Sequence, residues 1–296
     1  MPPRQGMLFV TPGLLVLATV IVVPLVVMVY LSLTSFQLGE LWQSRGFVGL
    51  GNFRDILTGQ DYRFLPALLL SLRYVGVVVA CSLVIGMAVG LLLTQGLRFS
   101  STVTAFLLIP IVTSPPVVGL SWRQMLHAQN GVLNYFLGLL GLEPINWLGF
   151  DWAFTSLVIA TLWHSVAFAA IVLSAGLQTV PKELYEAARV DGARPFESFL
   201  HITLPLMRPI ILVTALLQSI DAVQQFGIVY TLTEGGPGGA TQLLSLHAYD
   251  TALSLSGQIG RGATISIALT LLAVTFSALL MLLMRDRRKS GVGTVD

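Results

Sequence analysis

Pro181-Lys-Glu-Leu-Tyr-Glu-Ala-Ala-Arg-Val-Asp-Gly192, continued by Ala193 to Leu204 and Pro205, is the longest polar-rich interval between apolar runs in the second half of the chain. It reads as two short helices hinged at a glycine. Pro181 suits a first helical position, where the missing N–H has no intrahelical partner in any case, and Glu183 adds negative charge to that first turn. Lys182 to Asp191 has no interior Gly or Pro, and Gly192 fits the left-handed position just past a helix end. Pro195 opens a second turn edged by Phe196, Phe199, Leu200 and Ile202, and Pro205 opens whatever comes next. Adjacent alanines at 187 and 188 allow another protein to approach closely. A helix ended by a flexible glycine can move as one body.

A plain connection between membrane helices has the same outline, and so does a helix-turn-helix reader of DNA. Nucleic acid would call for a basic face. Here Glu183, Glu186, Asp191 and Glu197 outnumber Lys182, Arg189 and Arg194.

Composition sets the surroundings of this interval. Of 296 residues, 55% are hydrophobic and 10% charged, with a mean hydropathy of +0.82. A soluble domain carries about 25% charged residues, so most of this surface must face lipid or other apolar protein. Net charge is +2 and the single cysteine, Cys81, lies within an apolar run. That excludes an intrachain disulfide framework and a cysteine-based metal site. The class is an all-α integral membrane protein.

Apolar runs of about 20 residues can cross a bilayer as helices. The first, Met7 to Leu33, is longer than the apolar segment of about 7–15 residues in a signal peptide and no small-x-small cleavage site follows it, so it reads as a retained span. Phe36 to Tyr62 is mixed, with Gly49-Leu50-Gly51-Asn52-Phe53 as a turn-like signal. The second span runs from about Leu65 to Leu93. The third, about Val103 to Met125, contains Pro110, Pro115 and Pro116, which predicts a kinked helix buried in the bundle. His127 to Asp151 is a second non-cytoplasmic stretch, flanked by Trp147 and Trp152 as interface anchors. Span four is about Ala153 to Leu177, span five about Leu206 to Leu232, and span six about Ala263 to Met284. Between the last two lie the breaker cluster Thr233 to Gly239 and an amphipathic, peripheral stretch from Thr241 to Arg261. The expected organisation is one transmembrane domain over 1–296, with six helices and a cytoplasmic loop at about 181–205.

Orientation follows from the cations. With a cytoplasmic N-terminus, the inner segments hold Arg4, Arg98, Lys182, Arg189, Arg194, Arg208, Arg285, Arg287, Arg288 and Lys289, and the outer loops hold Arg45, Arg54, Arg63 and Arg261. That imbalance satisfies the positive-inside rule and returns the C-terminus to the cytoplasm. Glu186 then lies inside, where ATP is.

Span five carries Gln218, Asp221, Gln224 and Gln225. Offsets of three and four place Gln218, Asp221 and Gln225 on one helical face. A charged carboxylate near mid-bilayer costs roughly 2.5–3.5 kcal/mol on insertion scales, so it should face a cavity or a partner. Two readings stand: a polar lining for hydroxyl-rich solutes, or a clasp between subunits. Trp163 and His164 in span four are further candidates for a solute path, a packing role being the alternative. The four histidines show no metal-ligand spacing. No phosphate-cradling G-x-x-x-x-G-K-S/T loop occurs.

Glu186-Ala187-Ala188, three residues, Gly192, nine residues, then Ile202, Thr203, Leu204 and Pro205 resembles the EAA loop of bacterial ABC importer permeases. The resemblance covers nearly the whole chain. Gly49 to Phe53, Asn146-Trp147-Leu148, Gly176 to Pro181, and Leu232 to Pro237 with Thr241 and Tyr249 look like the maltose and glycerol-3-phosphate type permeases of the carbohydrate importer group, and like the first of the two permeases such systems encode. The resemblance implies a type I importer permease fold in a bacterial inner membrane. Glu186, Ala187, Ala188, Asp191, Gly192, Ile202, Leu204 and Pro205 would couple the chain to two ATPase subunits. Further implied partners are a second homologous permease and an extracytoplasmic solute receptor. ATP and magnesium would sit on the ATPases, with no cofactor or metal on this chain, which would not itself be an enzyme. The chain lacks the extra N-terminal spans and large periplasmic insertion of the biggest maltose-type members, so their receptor contacts do not transfer. The competing reading is a secondary transporter driven by an ion gradient through Asp221. The lack of inverted repeats speaks against it.

Overall fold

In lipid every backbone N–H and C=O must be satisfied within the protein, so long apolar runs become helices. The computed structural model describes the backbone of residues 3–43, 46–96, 98–254 and 256–285, and the side chains of these except 3–10 and 285. Of the cations used for orientation, Arg45, Arg287, Arg288 and Lys289 lie outside the described residues, as do the side chains of Arg4 and Arg285.

The helices are α1 Pro3–Ser32, α2 Gly51–Leu57, α3 Phe64–Thr94, α4 Ser100–Val112, α5 Pro115–Met125, α6 Val132–Leu139, α7 Ala153–Leu177, α8 Lys182–Val190, α9 Pro195–Ser198, α10 Leu204–Val223, α11 Gly227–Leu232, α12 Leu244–Tyr249 and α13 Ile259–Arg285. Two π-helical turns, Phe199–Thr203 and Asp250–Ser254, interrupt them. Among the described residues the only extended pairing is an antiparallel bridge between Thr34 and Phe47. Among the described residues, five helical runs are long and apolar enough to cross a membrane, and α4 with α5 makes a sixth if that bent pair counts as one span.

Three expectations need correction, whereas the kink expected in the third span is present as a bend of 103° between α4 and α5. Pro115 and Pro116 force the preceding residues out of the helical region, and Ser114 is extended at ψ 144°. The first half of this span is less buried than predicted: Pro110 is the one buried side chain of α4, while Val118 on α5 is fully buried. The fifth span begins earlier and stops sooner. Helix runs from Pro195 through the π turn to Val223, then breaks at residues 224–226 before α11. Pro205 stands in the first turn of α10, as expected, although helix already precedes it through the π turn. Finally, Thr241 to Arg261 is not peripheral, because every residue of α12 from Leu244 to Ala248 is buried.

Backbone contacts divide the chain into two units, residues 1–67 with 244–271 and residues 68–243 with 272–296. In the first unit, Asn52 fastens the end of α1: its Nδ2 donates to the carbonyls of Ser32 at 2.9 Å and Thr34 at 2.8 Å. Thr264 Oγ1 donates to the same Ser32 carbonyl at 3.3 Å. These are carbonyls a helix end leaves without an intrahelical donor. Asn52→Ala should destabilise this unit by about 1–2 kcal/mol, the cost of stranding part-buried acceptors, read as a lower melting temperature of detergent-solubilised protein. An unchanged melt would remove Asn52 from this role.

In the second unit, Met87, Ala169, Leu173, Leu177, Val180 and Met207 form an apolar core. It lies where α3, α7 and α10 meet. Gly86 and Gly90, four residues apart on α3, let that helix lie directly on α7. A Cβ at Gly86 would come within 2.5 Å of the Ala169 Cβ and 3.1 Å of the Ala170 nitrogen. At Gly90 the Ser174 nitrogen would be 3.2 Å away. Small residues at a four-residue interval are the usual means of close helix approach in lipid.

Candidate functional site

The stretch from 181 to 205 folds as a braced lever. Pro181, at ψ 131°, is the residue before the helix rather than its first member, and α8 starts at Lys182. Glu183 is in the first turn and Arg189 in the last, each complementing the helix dipole. Gly192 takes φ +79°. Its N–H bonds the Arg189 carbonyl at 3.1 Å, and the Ala193 N–H bonds the Ala188 carbonyl at 2.9 Å. This doubly bonded glycine stop satisfies two of the last carbonyls of α8. The chain then re-enters helix at Pro195, where the Arg194 N–H is taken by Glu197 Oε2 at 2.8 Å.

The lever's outer surface is open. Glu186, Ala187, Asp191, Gly192, Leu204 and Pro205 are exposed, and Ala188 is half-buried. Apolar side chains stand out beside them: Val190 is 88% exposed and Phe196 72%. Water is a poor environment for such a set on a polar segment, which marks a surface for another protein. The inner surface is anchored. Tyr185 Oη and Thr203 Oγ1 are 2.8 Å apart, joining α8 to the π turn ahead of α10. Tyr185, Phe199 and Ile202 pack on the core around Met207. Of the expected coupling residues, Ile202 alone therefore faces inward. Tyr185 and Thr203 were missed by sequence reasoning, although an aromatic one residue before Glu186 on an otherwise polar helix was a visible signal. Behind them α10 lies close on α7, since a Cβ at Gly176 would meet Ile210 Cδ1 at 2.6 Å.

The polar residues of the fifth span divide instead of sharing a face. Gln218 is buried between three helices: its Oε1 accepts from Ser82 on α3, and its Nε2 donates to the Ser165 carbonyl on α7 at 2.9 Å. This is a clasp, but one within the chain. Gln225 is also buried and lies in the break after α10, where its Oε1 receives the Ile228 N–H at 3.3 Å. Asp221 is exposed. Gln225 leaves the expected face because the helix ends at Val223 and the periodic rotation does not continue to it, whereas Gln218 and Asp221 are both within α10 and differ in what packs beside each. Trp163 is 39% exposed. His164 is half-buried, with Nδ1 2.8 Å from the Pro110 carbonyl, and it interacts electrostatically with Asp221. Asp221 and Trp163 thus keep exposed side chains, with His164 within electrostatic reach of Asp221, while Gln218 and Gln225 belong to the framework of this unit.

Near α5, the breaker cluster forms a compact turn with Glu234 at φ +53° and Gly235 at φ +80°. Glu234 pairs with Arg123 at 2.6 Å. Among the described residues, no group of three or more His, Cys, Asp or Glu could hold a metal ion.

Residues 14–291 match the protein family described as the binding-protein-dependent transport system inner membrane component. The chain is 35% identical over 286 residues to the trehalose/maltose transport system permease protein MalF of Thermococcus litoralis, covering 96% of this chain and 95% of that one. It is 30% identical over 283 residues to the sulfoquinovosyl glycerol transport system permease protein SmoG of Agrobacterium fabrum, covering 95% and 91%. Its fold matches a chain in the crystal structure of a bacterial alginate ABC transporter bound to an alginate pentasaccharide-loaded periplasmic protein, with a TM-score of 0.80, 19% identity, and coverage of 98% and 97%.

Proposed function

The chain belongs to the family of binding-protein-dependent transport system inner membrane components, and we propose that the braced lever from α8 to α10 is the part through which partner ATPases drive its membrane helices. The chain is a permease subunit of an ABC importer. The solute we assign is a sugar or a related polyol or glycerol conjugate, in keeping with the trehalose/maltose and sulfoquinovosyl glycerol relatives. The partners are a second permease, two ATPase subunits holding ATP and magnesium, and an extracytoplasmic receptor. The membrane is the bacterial inner membrane, with both termini in the cytoplasm.

One observation carries the coupling proposal: an exposed helix tied rigidly to a membrane helix. The Tyr185–Thr203 bond and the shared packing on Met207 mean that force on Glu186 or Val190 reaches α10 without intervening slack. Glu186, Ala187, Ala188, Asp191 and Gly192 form the surface a partner grips. Leu204 and Pro205 begin the transmitted helix, and Ile202 seats it. Movement of α10 and α7 then alternately exposes Asp221, His164 and Trp163, which offer hydrogen bonds to a hydroxylated solute. Gln218 and Gln225 hold the helices that carry them. No observation favours the ion-driven alternative.

Two measurements test this together. A chain carrying Cys81→Ser and Val190→Cys should react with a membrane-impermeant thiol reagent only from the cytoplasmic side, and the chain should bring an ATPase with it on purification. Labelling from outside would refute the orientation and the coupling role alike.

A further inference from the structure

The first unit contains a cavity that the transport reading leaves without a use. Its volume is about 390 Å³, and its walls include Asp61, His247, Asp250, Ser256, Gln258 and Arg261. Among the described residues, the lining side chains are charged, polar or, at Tyr62, aromatic. Small-molecule sites run from roughly 300 to 1,000 Å³, so this one has room for a single ring, not an oligosaccharide.

The walls are held in place before any ligand arrives. His247 Nε2 and Asp61 Oδ2 are 2.9 Å apart, with only 5% and 9% of the two side chains exposed. The other Asp61 oxygen accepts the Arg63 N–H at 3.1 Å. Arg261 is fixed by Asp55 at 2.7 Å and by Gln258 Oε1 at 3.1 Å. Ser256 Oγ donates to the Thr251 carbonyl at 2.8 Å. Asp250 and Thr251 belong to the second π turn, an irregularity that recurs at functional positions in helices. A buried acid–imidazole pair is weak evidence of stabilisation, because desolvation offsets the attraction. His247 moreover keeps a buried Nδ1 that has no hydrogen-bond partner among the described residues.

The charges decide the ligand class. Two carboxylates, Asp61 and Asp250, face two guanidiniums, Arg63 and Arg261, around the same space. A lone anion or cation would meet as much repulsion as attraction. A neutral molecule carrying several hydroxyls, each able to donate and accept, suits such a mixed wall.

We propose that this cavity is an outer subsite that binds one sugar ring of the solute, apart from the residues around Asp221. It rests on the proposed orientation, which places the loop before α3 and the segment before α13 on the extracytoplasmic face. Here a hydroxylated solute is held after release from the receptor, with Asp61 and Arg261 as the oriented acceptor and donor.

The test uses the assembled importer in nanodiscs, with Cys81→Ser and Ser256→Cys in this chain. Trehalose, maltose, lactose and diacetylchitobiose are each added while the cysteine is labelled with a thiol reagent and, separately, ATP hydrolysis is followed. At least one sugar should slow labelling about fivefold. Adding Asp61→Asn, nearly isosteric, should abolish the protection, read as the ratio of labelling with and without sugar in the same variant. Unchanged labelling with a sugar that stimulates ATP hydrolysis overturns the subsite and leaves the importer reading intact. Protection in a complex that no sugar stimulates upholds the subsite and counts against sugar import as its purpose.

Discussion

Gly192→Val should lower solute uptake by the assembled importer at least tenfold, while the chain still reaches the membrane and co-purifies with its partners. The cause is conformational. Gly192 sits at φ +79° with no atom within 4 Å of where a Cβ would be, so an added Cβ clashes with nothing. What it meets is the left-handed backbone, which costs a residue with a Cβ roughly 1–2 kcal/mol and a β-branched one more. About 1.4 kcal/mol is tenfold in a population, enough to unseat the Ala193–Ala188 and Gly192–Arg189 bonds that end α8. Asparagine tolerates this conformation better than other residues, so Gly192→Asn should retain most of the uptake. Equal activity in the valine and asparagine variants would show that the stop at α8 has no part in coupling. Glu186→Ala changes the exposed surface and not the backbone. It should reduce solute-stimulated ATP hydrolysis with the melting temperature unchanged.

The largest expected loss of stability is at Gly86. Leucine there pushes against the Ala169 Cβ and the Ala170 nitrogen, both on rigid helix. Overpacking of this kind costs about 1–3 kcal/mol and occasionally more, and the upper end applies because neither helix can turn the intruding atom aside. The measurement is the monodisperse fraction of detergent-solubilised protein on heating. Gly76→Leu, on the same helix with nothing within 4 Å, is the control and should behave as the native chain. If the two variants melted together, close contact between α3 and α7 would have to be abandoned. Displacing α3 would also separate Ser82 from Gln218 and Tyr74 from Thr161, whose oxygens are 2.8 Å apart.

The parts legible in the sequence were those with a local cause. α7 was expected at about Ala153 to Leu177 and spans those residues, because an uninterrupted apolar run in lipid has one outcome. Gly192 was readable because the left-handed position after a helix has few occupants. The α3 glycines were readable too, as a G-x-x-x-G in an apolar run, and went unused. The bend at Ser114 was foreseen in kind but not in degree, since three prolines announce a break without stating its angle.

The amino-acid order by itself determined the membrane class, the long helices and the glycine stop after α8, all of which depend on neighbours close in the chain. Only the tertiary structure decided that Gln218 is a framework clasp while Asp221 stays open, that Tyr185 locks the lever to Thr203, and that Asp61 and His247 meet across 186 positions of chain. Periodicity tells which residues share a face only while a helix continues. Where it breaks, as after Val223, and where distant segments meet, the packing alone sets which polar groups find each other.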